Sequence, residues 1–144
     1  MTLDDVAAFV SKLPGVTAAM RWAHRTWIVN DKGFAWQRPF SKADLKRFGD
    51  AAPPAGDILA VIVENLDAKD ALLAMELAGF FTIPHFNGYA AVLIALRQAR
   101  AKDVRAAIQD AFRVAVSALP AKRGAPRARK RTARPRATKR SATR

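Results

Sequence analysis

Few residues of this chain could do chemistry, and they lie far apart in the sequence. There is no cysteine, which excludes disulfides, thiolate zinc sites and a cysteine nucleophile. The two histidines, His24 and His85, lie more than sixty positions apart and form no metal-binding His-x-x-x-His pair. No serine lies in a Gly-x-Ser-x-Gly turn, and the seven glycines are scattered singly rather than gathered in a phosphate-binding loop. We therefore expect a protein that is not an enzyme and that holds no metal ion and no cofactor.

Aromatic residues interleaved with arginines suggest a different kind of site, a surface that stacks bases and contacts phosphates. The aromatic residues are Trp22, Trp27, Trp36, Phe80, Phe81, Phe86 and Tyr89, and the arginines are Arg21, Arg25 and Arg38. The same alternation is typical of rings that face a core while arginines stay in solvent, and this second interpretation is favoured. A shallow site for a small ligand or a partner is predicted at Arg25, Arg38, Thr82, His85, Asn87 and Tyr89.

Positive charge is concentrated at the C-terminal end. Residues 1–120 hold 14 Lys and Arg and all 12 Asp and Glu, whereas residues 121–144 hold 11 Lys and Arg and no acid. The 11 cations are Lys122, Arg123, Arg127, Arg129, Lys130, Arg131, Arg134, Arg136, Lys139, Arg140 and Arg144. Without aromatic or large aliphatic residues this segment cannot bury apolar surface, so we expect a disordered, extended arm. Cations on such an arm displace counterions from phosphates, which predicts nucleic-acid binding, most simply to duplex DNA without sequence preference.

The elements that must position these residues begin with a helix and a set of strands. Apolar residues at helical spacing predict an amphipathic helix over residues 3–13, closed by a Pro-Gly pair. Residues 20–38 alternate and contain an Asn-Asp-Lys-Gly turn, which predicts a β-meander of two or three strands. A short helix is predicted over residues 41–48, with Asp44 completing a capping box and Leu45 and Phe48 as its apolar contacts.

The second half of the folded part alternates strands and helices. The unbroken apolar run 58–63 predicts a central strand. Asp67 is predicted to cap a helix that runs through Leu77. Residues 81–96 are predicted to form a hairpin or loop-to-strand unit, with a type I′ turn at Asn87-Gly88. A last amphipathic helix is predicted over residues 103–119, with Val116 and Leu119 on its apolar face and Pro120 as its end.

One stretch resembles a known family. Residues 80–89, Phe-Phe-Thr-Ile-Pro-His-Phe-Asn-Gly-Tyr, followed by Ala91-Val92-Leu93, resemble the bacterial MmcQ/YjbR family. The run Leu13-Pro14-Gly15-Val16 and the strand-turn-strand pattern through Trp27 and Phe34 agree with it. The resemblance covers roughly residues 3–119 and implies a compact α+β fold of the secretion-chaperone or CyaY type, with helices packed on an antiparallel sheet. Members of the family are commonly described as DNA-binding, and the resemblance brings no catalytic residues.

The sequence thus predicts an α+β domain over residues 1–120, with helices and an antiparallel sheet in two layers, and a disordered basic tail over 121–144. The acidic N-terminus and a longest apolar run of eight residues, 89–96, indicate neither a signal peptide nor a membrane anchor. We expect a cytoplasmic, nucleoid-associated DNA-binding protein whose affinity comes mainly from the tail. The alternative is a protein-interaction or chaperone-like module that its tail localises to the nucleoid.

Overall fold

A six-stranded antiparallel sheet forms the centre of the molecule in the computed structural model, which describes residues 1–117. The strands are β1 (Thr17–Arg21), β2 (His24–Val29), β3 (Lys32–Gln37), β4 (Ile58–Ile62), β5 (Phe80–Phe81) and β6 (Ala91–Ala95). They lie in the order β1-β2-β3-β4-β6-β5, and each is antiparallel to its neighbours. The predicted α+β class is confirmed. The predicted domain end at 120 and the predicted disordered tail lie outside the described residues.

The predicted meander is confirmed and has three strands. Both central residues of its turns have positive φ, Trp22 and Ala23 in the first and Asn30 and Asp31 in the second, as in type I′ hairpins. Asn and Asp tolerate this conformation, whereas a tryptophan does so rarely. In β3 the register with β2 shifts at Phe34, and this bulge turns both Phe34 and its neighbour Ala35 into the same core.

Four helices complete the described part of the chain. They are α1 (Leu3–Val10), α2 (Lys42–Phe48), α3 (Leu66–Ala74) and α4 (Ala101–Ser117). The predicted capping boxes of α1 and α2 are present. The predicted cap of α3 is wrong, because the Asn65 side chain accepts the hydrogen bond from the Ala68 amide at 2.8 Å, and Asp67 lies in the first turn. Within residues 1–117 no helix is long and apolar enough to cross a membrane.

Strand alternation sends side chains into two separate cores. In β4, Leu59 and Val61 face α1 and α4, whereas Ile58 and Ala60 face the opposite side. We call these the helix side and the loop side of the sheet. On the helix side the main contacts of α4 are Val104, Ala107, Ile108, Ala111 and Ala115, all buried as predicted. Two predicted apolar contacts are wrong, since Leu45 of α2 and Val116 of α4 are exposed; Leu119 and Pro120 lie outside the described residues.

The loop side is covered by α2 and by a 3₁₀ helix, Pro84–Phe86, in the segment between β5 and β6. The predicted type I′ turn at Asn87-Gly88 is wrong. Asn87 has φ −61° and ψ 132°, Gly88 has φ +78°, and the Tyr89 amide donates to the Phe86 carbonyl at 3.0 Å, which defines a type II turn. Pro84 has no N–H for a ladder and starts the helical turn, so the strand before it ends after two residues.

Candidate functional site

Three of the predicted site residues meet around one buried ring on the loop side. The guanidinium carbon of Arg38 lies 5.5 Å from the centre of the Phe86 ring. The Tyr89 ring contacts Phe86 edge to face with centroids 5.5 Å apart, and the His85 ring lies 6.2 Å away. Trp36 of β3 adds a tilted contact to Tyr89 at 6.3 Å. We call Trp36, Arg38, His85, Phe86 and Tyr89 the Phe86 cluster.

The other predicted site residues are placed less centrally. Thr82 and Asn87 are exposed on the same segment between β5 and β6. Arg25 is not part of the cluster, because its guanidinium lies 3.0 Å from the Asp4 carboxylate of α1 and 5.6 Å from the ring centre of Trp27. Trp27 belongs to the helix-side core, so Arg25 lies on that side of the sheet. The 11 predicted cations of residues 121–144 lie outside the described residues.

A buried lysine that the sequence interpretation missed holds this segment in place. The Lys69 ammonium of α3 donates to the carbonyl oxygens of Phe86 at 2.6 Å and of Tyr89 at 2.8 Å. Burial lowers the pKa of Lys69, and the nearby Asp70 carboxylate partly offsets this. Lys69 lies three positions before Leu72, which packs against the core, and residues three apart share one face of a helix. This spacing was the available signal that Lys69 faces inward.

A buried carboxylate fixes the arginine of the cluster. The Asp44 carboxylate is 2% exposed, lies 3.0 Å from the Arg38 guanidinium and accepts from the Ser41 amide at 2.9 Å. Burial raises the pKa of Asp44, but the hydrogen bonds from Ser41 and the charge of Arg38 outweigh it, so the net pKa is lowered. Because Asp44 already neutralises Arg38, this arginine acts as an anchor of the loop side rather than as a free phosphate ligand.

The sheet surface beside the cluster is partly exposed to solvent. α1, α3 and α4 contact the helix-side core, and α2 contacts the 3₁₀ helix, so the main helix contacts lie away from the loop side of β1 and β2. Strand register places Arg21, His24, Thr26 and Trp36 on this side of the sheet; Arg21 is exposed, His24 and Trp36 are half-buried, and Thr26 is buried. The Tyr89 side chain is 48% exposed at its border. We call Arg21, His24, Trp36 and Tyr89 the open face, and it carries the rings of Trp36 and Tyr89, the imidazole of His24 and one arginine, without a carboxylate.

The aromatic set divides between core and surface. Trp27 and Phe86 are buried and Trp36, Phe80 and Phe81 are half-buried, as the core interpretation predicts. Trp22 and Tyr89 are exposed, and Tyr89 lies beside the half-buried ring of Trp36. Within residues 1–117 no group of three or more His, Asp or Glu side chains could hold a metal ion. The adjacent Trp36 and Tyr89 rings offer a surface for stacking.

A second concave feature, which sequence interpretation did not predict, lies between α3 and α4. It is a groove of about 720 Å³ with a mainly apolar floor that includes Leu72, Leu77 and Phe80. Its rim carries three carboxylates, Glu64, Asp103 and Asp110, and one arginine, Arg113, which is paired with Asp110. The groove is thus apolar inside and negatively charged at its rim.

No protein-family model matches the chain. Over 114 residues it is 43% identical to the protein named "Uncharacterized protein Rv2570" of Mycobacterium tuberculosis, a match that covers 77% of this chain and 85% of the relative. The figures are the same for "Uncharacterized protein Mb2600" of Mycobacterium bovis. A crystal structure of a protein from Pseudomonas syringae is similar with a TM-score of 0.62 and 16% identity, over 80% of this chain and 99% of that chain. At that identity the likeness shows the fold alone.

Proposed function

The chain belongs to the same protein family as Rv2570 and Mb2600, and we propose that it is a non-enzymatic protein that binds duplex DNA largely without regard to sequence. In this proposal residues 121–144 supply most of the affinity, and the folded domain is the platform that carries them. The names of the relatives state no activity, so the support comes from this chain's own residues. The resemblance of residues 80–89 to the MmcQ/YjbR family agrees with the proposal, because members of that family are commonly described as DNA-binding.

The division of charge along the chain carries the proposal. The described residues 1–117 hold 14 Lys and Arg against 12 Asp and Glu, and their ion pairs place several of these charges against each other. Residues 121–144 hold 11 cations and no acid. A nearly neutral domain offers duplex DNA little long-range attraction, whereas the C-terminal segment offers a dense row of phosphate ligands, many of them bidentate arginines.

The expected binding mode is electrostatic and depends strongly on salt. If about half of the 11 cations contact phosphates, the logarithm of the affinity falls with the logarithm of the salt concentration at a slope of roughly −4 to −5. Such binding uses backbone contacts and does not distinguish base pairs. DNA as the ligand would place the protein at the nucleoid.

The open face supports a smaller contribution from the folded domain. Trp36 and Tyr89 lie together at its border, and Arg21 supplies a cation on the same surface. Rings on a rigid sheet can stack unpaired bases, each at about 1–3 kcal/mol, without sequence preference. This surface would act on single-stranded segments, because bases within a duplex are not accessible to it.

The groove between α3 and α4 favours a second candidate function. An apolar floor next to the exposed Met75 is the kind of surface that holds a segment of another protein. In this alternative the domain is a protein-interaction or chaperone-like module, and residues 121–144 only localise it to the nucleoid. A protein partner that survives both nuclease treatment and neutralisation of the tail would support this alternative over the first proposal.

Two full-length variants with the same net charge test the division of labour. The tail variant replaces five cations by Gln at Arg127, Arg129, Lys130, Arg131 and Arg134. The body variant replaces five exposed lysines by Gln at Lys12, Lys32, Lys42, Lys46 and Lys102. Fluorescence anisotropy with a labelled duplex, measured as a salt series, compares both variants with the unaltered chain.

The tail variant should bind at least about tenfold more weakly at moderate salt, and its salt slope should be shallower by about 2 because fewer counterions are released. The body variant should keep the slope and lose no more than about twofold, which is the effect of net charge alone. Equal losses in the two variants would show that position in the chain is irrelevant and would defeat the proposal.

A further inference from the structure

The groove between α3 and α4 is a concave surface of the described residues that DNA binding by the C-terminal segment leaves unused. Its floor includes Leu72, Leu77 and Phe80, and one wall is formed by α4 from Asp103 to Ser117. The pairing of Asp110 with Arg113 leaves Glu64 and Asp103 without an ion-pair partner within residues 1–117. A complementary occupant therefore needs an apolar part and at least two positive charges.

The chain itself continues from the rim of this groove. Ser117, the last described residue, is one of the residues that line it. The 27 residues that follow begin Ala-Leu-Pro-Ala-Lys-Arg, which is one aliphatic side chain, a proline and then two adjacent cations. An apolar residue followed by cations matches an apolar floor with an acidic rim, and the two lie next to each other in the chain.

The length of the segment fits the groove. The α4 wall from Asp103 to Ser117 is about 21 Å long at 1.5 Å per residue. An extended chain covers that distance with about six or seven residues. Residues 118–127 provide ten, which allows a reversal near Pro120 before the segment returns along α4. Lys122, Arg123 and Arg127 would then pass the carboxylates of the rim.

We propose that residues 118–127 of this chain dock in the groove between α3 and α4, with Leu119 on the apolar floor and the cations against Glu64 and Asp103. Docking keeps part of the C-terminal segment away from other anions. A polyanion competes for the same cations, so nucleic acid releases the segment from the groove. Only this regulatory consequence rests on the proposed function; the docking itself does not need it.

The absence of native cysteines allows a test by disulfide trapping in the full-length protein. One variant carries Ala106→Cys, on the exposed α4 wall of the groove, together with Ala125→Cys. The control carries Gln109→Cys, exposed on α4 but outside the groove, with the same Ala125→Cys. Gln109 is nearer than Ala106 to Ser117, where the segment begins. A segment without a preferred position would therefore form the Gln109 disulfide at least as fast as the Ala106 disulfide. Both disulfides form in a glutathione buffer at low protein concentration without nucleic acid.

The Ala106 pair should form its intramolecular disulfide about tenfold or more faster than the Gln109 pair, because docking raises the local concentration of one thiol at the other. Glu64→Gln with Asp103→Asn should remove most of this advantage, whereas Asp50→Asn with Asp57→Asn, exposed acids outside the groove, should leave it unchanged. Duplex DNA should lower the rate at which the Ala106 pair forms its disulfide, because it competes for the cations of the segment.

Three results would overturn the proposal: equal rates for the two pairs, an advantage that survives neutralisation of the rim, or disulfides between two copies instead of within one. If the salt series shows no DNA binding, the proposed release of the segment by DNA is wrong, but the disulfide rates still test whether the segment docks. The two proposals therefore fail separately.

Discussion

The two sides of one sheet are closed in different ways. On the helix side, α1 and α4 cover the sheet with a continuous apolar core that includes Phe34, Leu59 and Ile108, all without solvent exposure. On the loop side, a short helix and a 3₁₀ turn cover the core on β4, β6 and β5, and Trp36 of β3 packs at its edge; the surface of β1 and β2 beyond it is partly exposed at Arg21 and His24. The same strands supply both sides, since alternate residues point in opposite directions.

The difference separates positions that stabilise the fold from positions that are free to bind. The helix side is held mainly by apolar packing, with the exposed Arg25–Asp4 ion pair beside it, whereas the loop side also needs two buried polar anchors, Lys69 and Asp44. These anchors hold the Phe86 cluster at the border of the open face. A rigid sheet that presents half-exposed rings beside a fixed loop offers a preorganised surface for a ligand.

The largest expected effect is on the helix side. Phe34→Ala removes a fully buried ring and its edge-to-face contact with Phe112, and should lower the free energy of unfolding by about 3–5 kcal/mol. Phe81→Ala removes a half-buried ring on the loop side and should cost about half as much. Urea denaturation followed by circular dichroism measures both. Equal costs would mean that the two sides are equally closed and would break the comparison.

A smaller effect is expected at the lysine anchor. Lys69→Met fills the same space but removes the donor to the Phe86 and Tyr89 carbonyls, so we expect a loss of about 2 kcal/mol in the free energy of unfolding. Burial lowers the pKa of Lys69 in the folded protein below 10.5, so between the two values the unfolded chain binds more protons. Stability therefore rises with pH in that window in the unaltered protein.

The measurement for this anchor is urea denaturation at several pH values up to 10.5, with Lys102→Met on exposed α4 as the matched control. The cost of Lys69→Met relative to the unaltered protein should grow as the pH rises through the window, because only the unaltered protein gains stability there. A pH-independent cost, or a cost no larger than that of the control, would show that the buried lysine does not anchor the loop side.

Most of the fold could be predicted because its signals are local. Capping boxes at Thr2 and Ser41, the meander turn at Asn30-Asp31 and the apolar period of α4 each involve residues a few positions apart. The errors also have local causes. Asn65 and Asp67 are both good caps, and only the backbone decides between them, while Asn87-Gly88 fits a type II turn as well as a type I′ turn.

The site could be predicted only in part, because its contacts join distant segments. The segment around His85 and Tyr89 was recognisable from its own residues, but the position of Arg25 depends on a contact with Asp4 of α1, which lies 21 positions away in the chain. Lys69 bonds to carbonyl oxygens 17 and 20 positions away, which no spacing rule indicates. Likewise, the groove exists only once α3 and α4 have packed, so composition and periodicity could not predict it.

The smallest expected effect concerns the open face and decides whether it binds anything. Tyr89→Leu keeps an apolar side chain on Phe86 but removes the half-exposed ring beside Trp36. If the open face stacks bases, the variant should lose about 1 kcal/mol, roughly fivefold, in affinity for a single-stranded oligonucleotide. Its affinity for a duplex should not change, because the duplex is bound through phosphates by the C-terminal cations.

Trp22→Leu is the matched control for this surface. Its ring is 90% exposed in the turn between β1 and β2 but contacts no other ring within residues 1–117, so it provides an aromatic surface without the neighbouring Trp36. Anisotropy titrations of both variants at one salt concentration compare them directly. If Tyr89→Leu and Trp22→Leu lose the same affinity, exposed rings act only as general apolar surface. A loss confined to Tyr89→Leu instead assigns the single-strand contact to the border of the open face, where loop-side anchors hold a ring against the sheet.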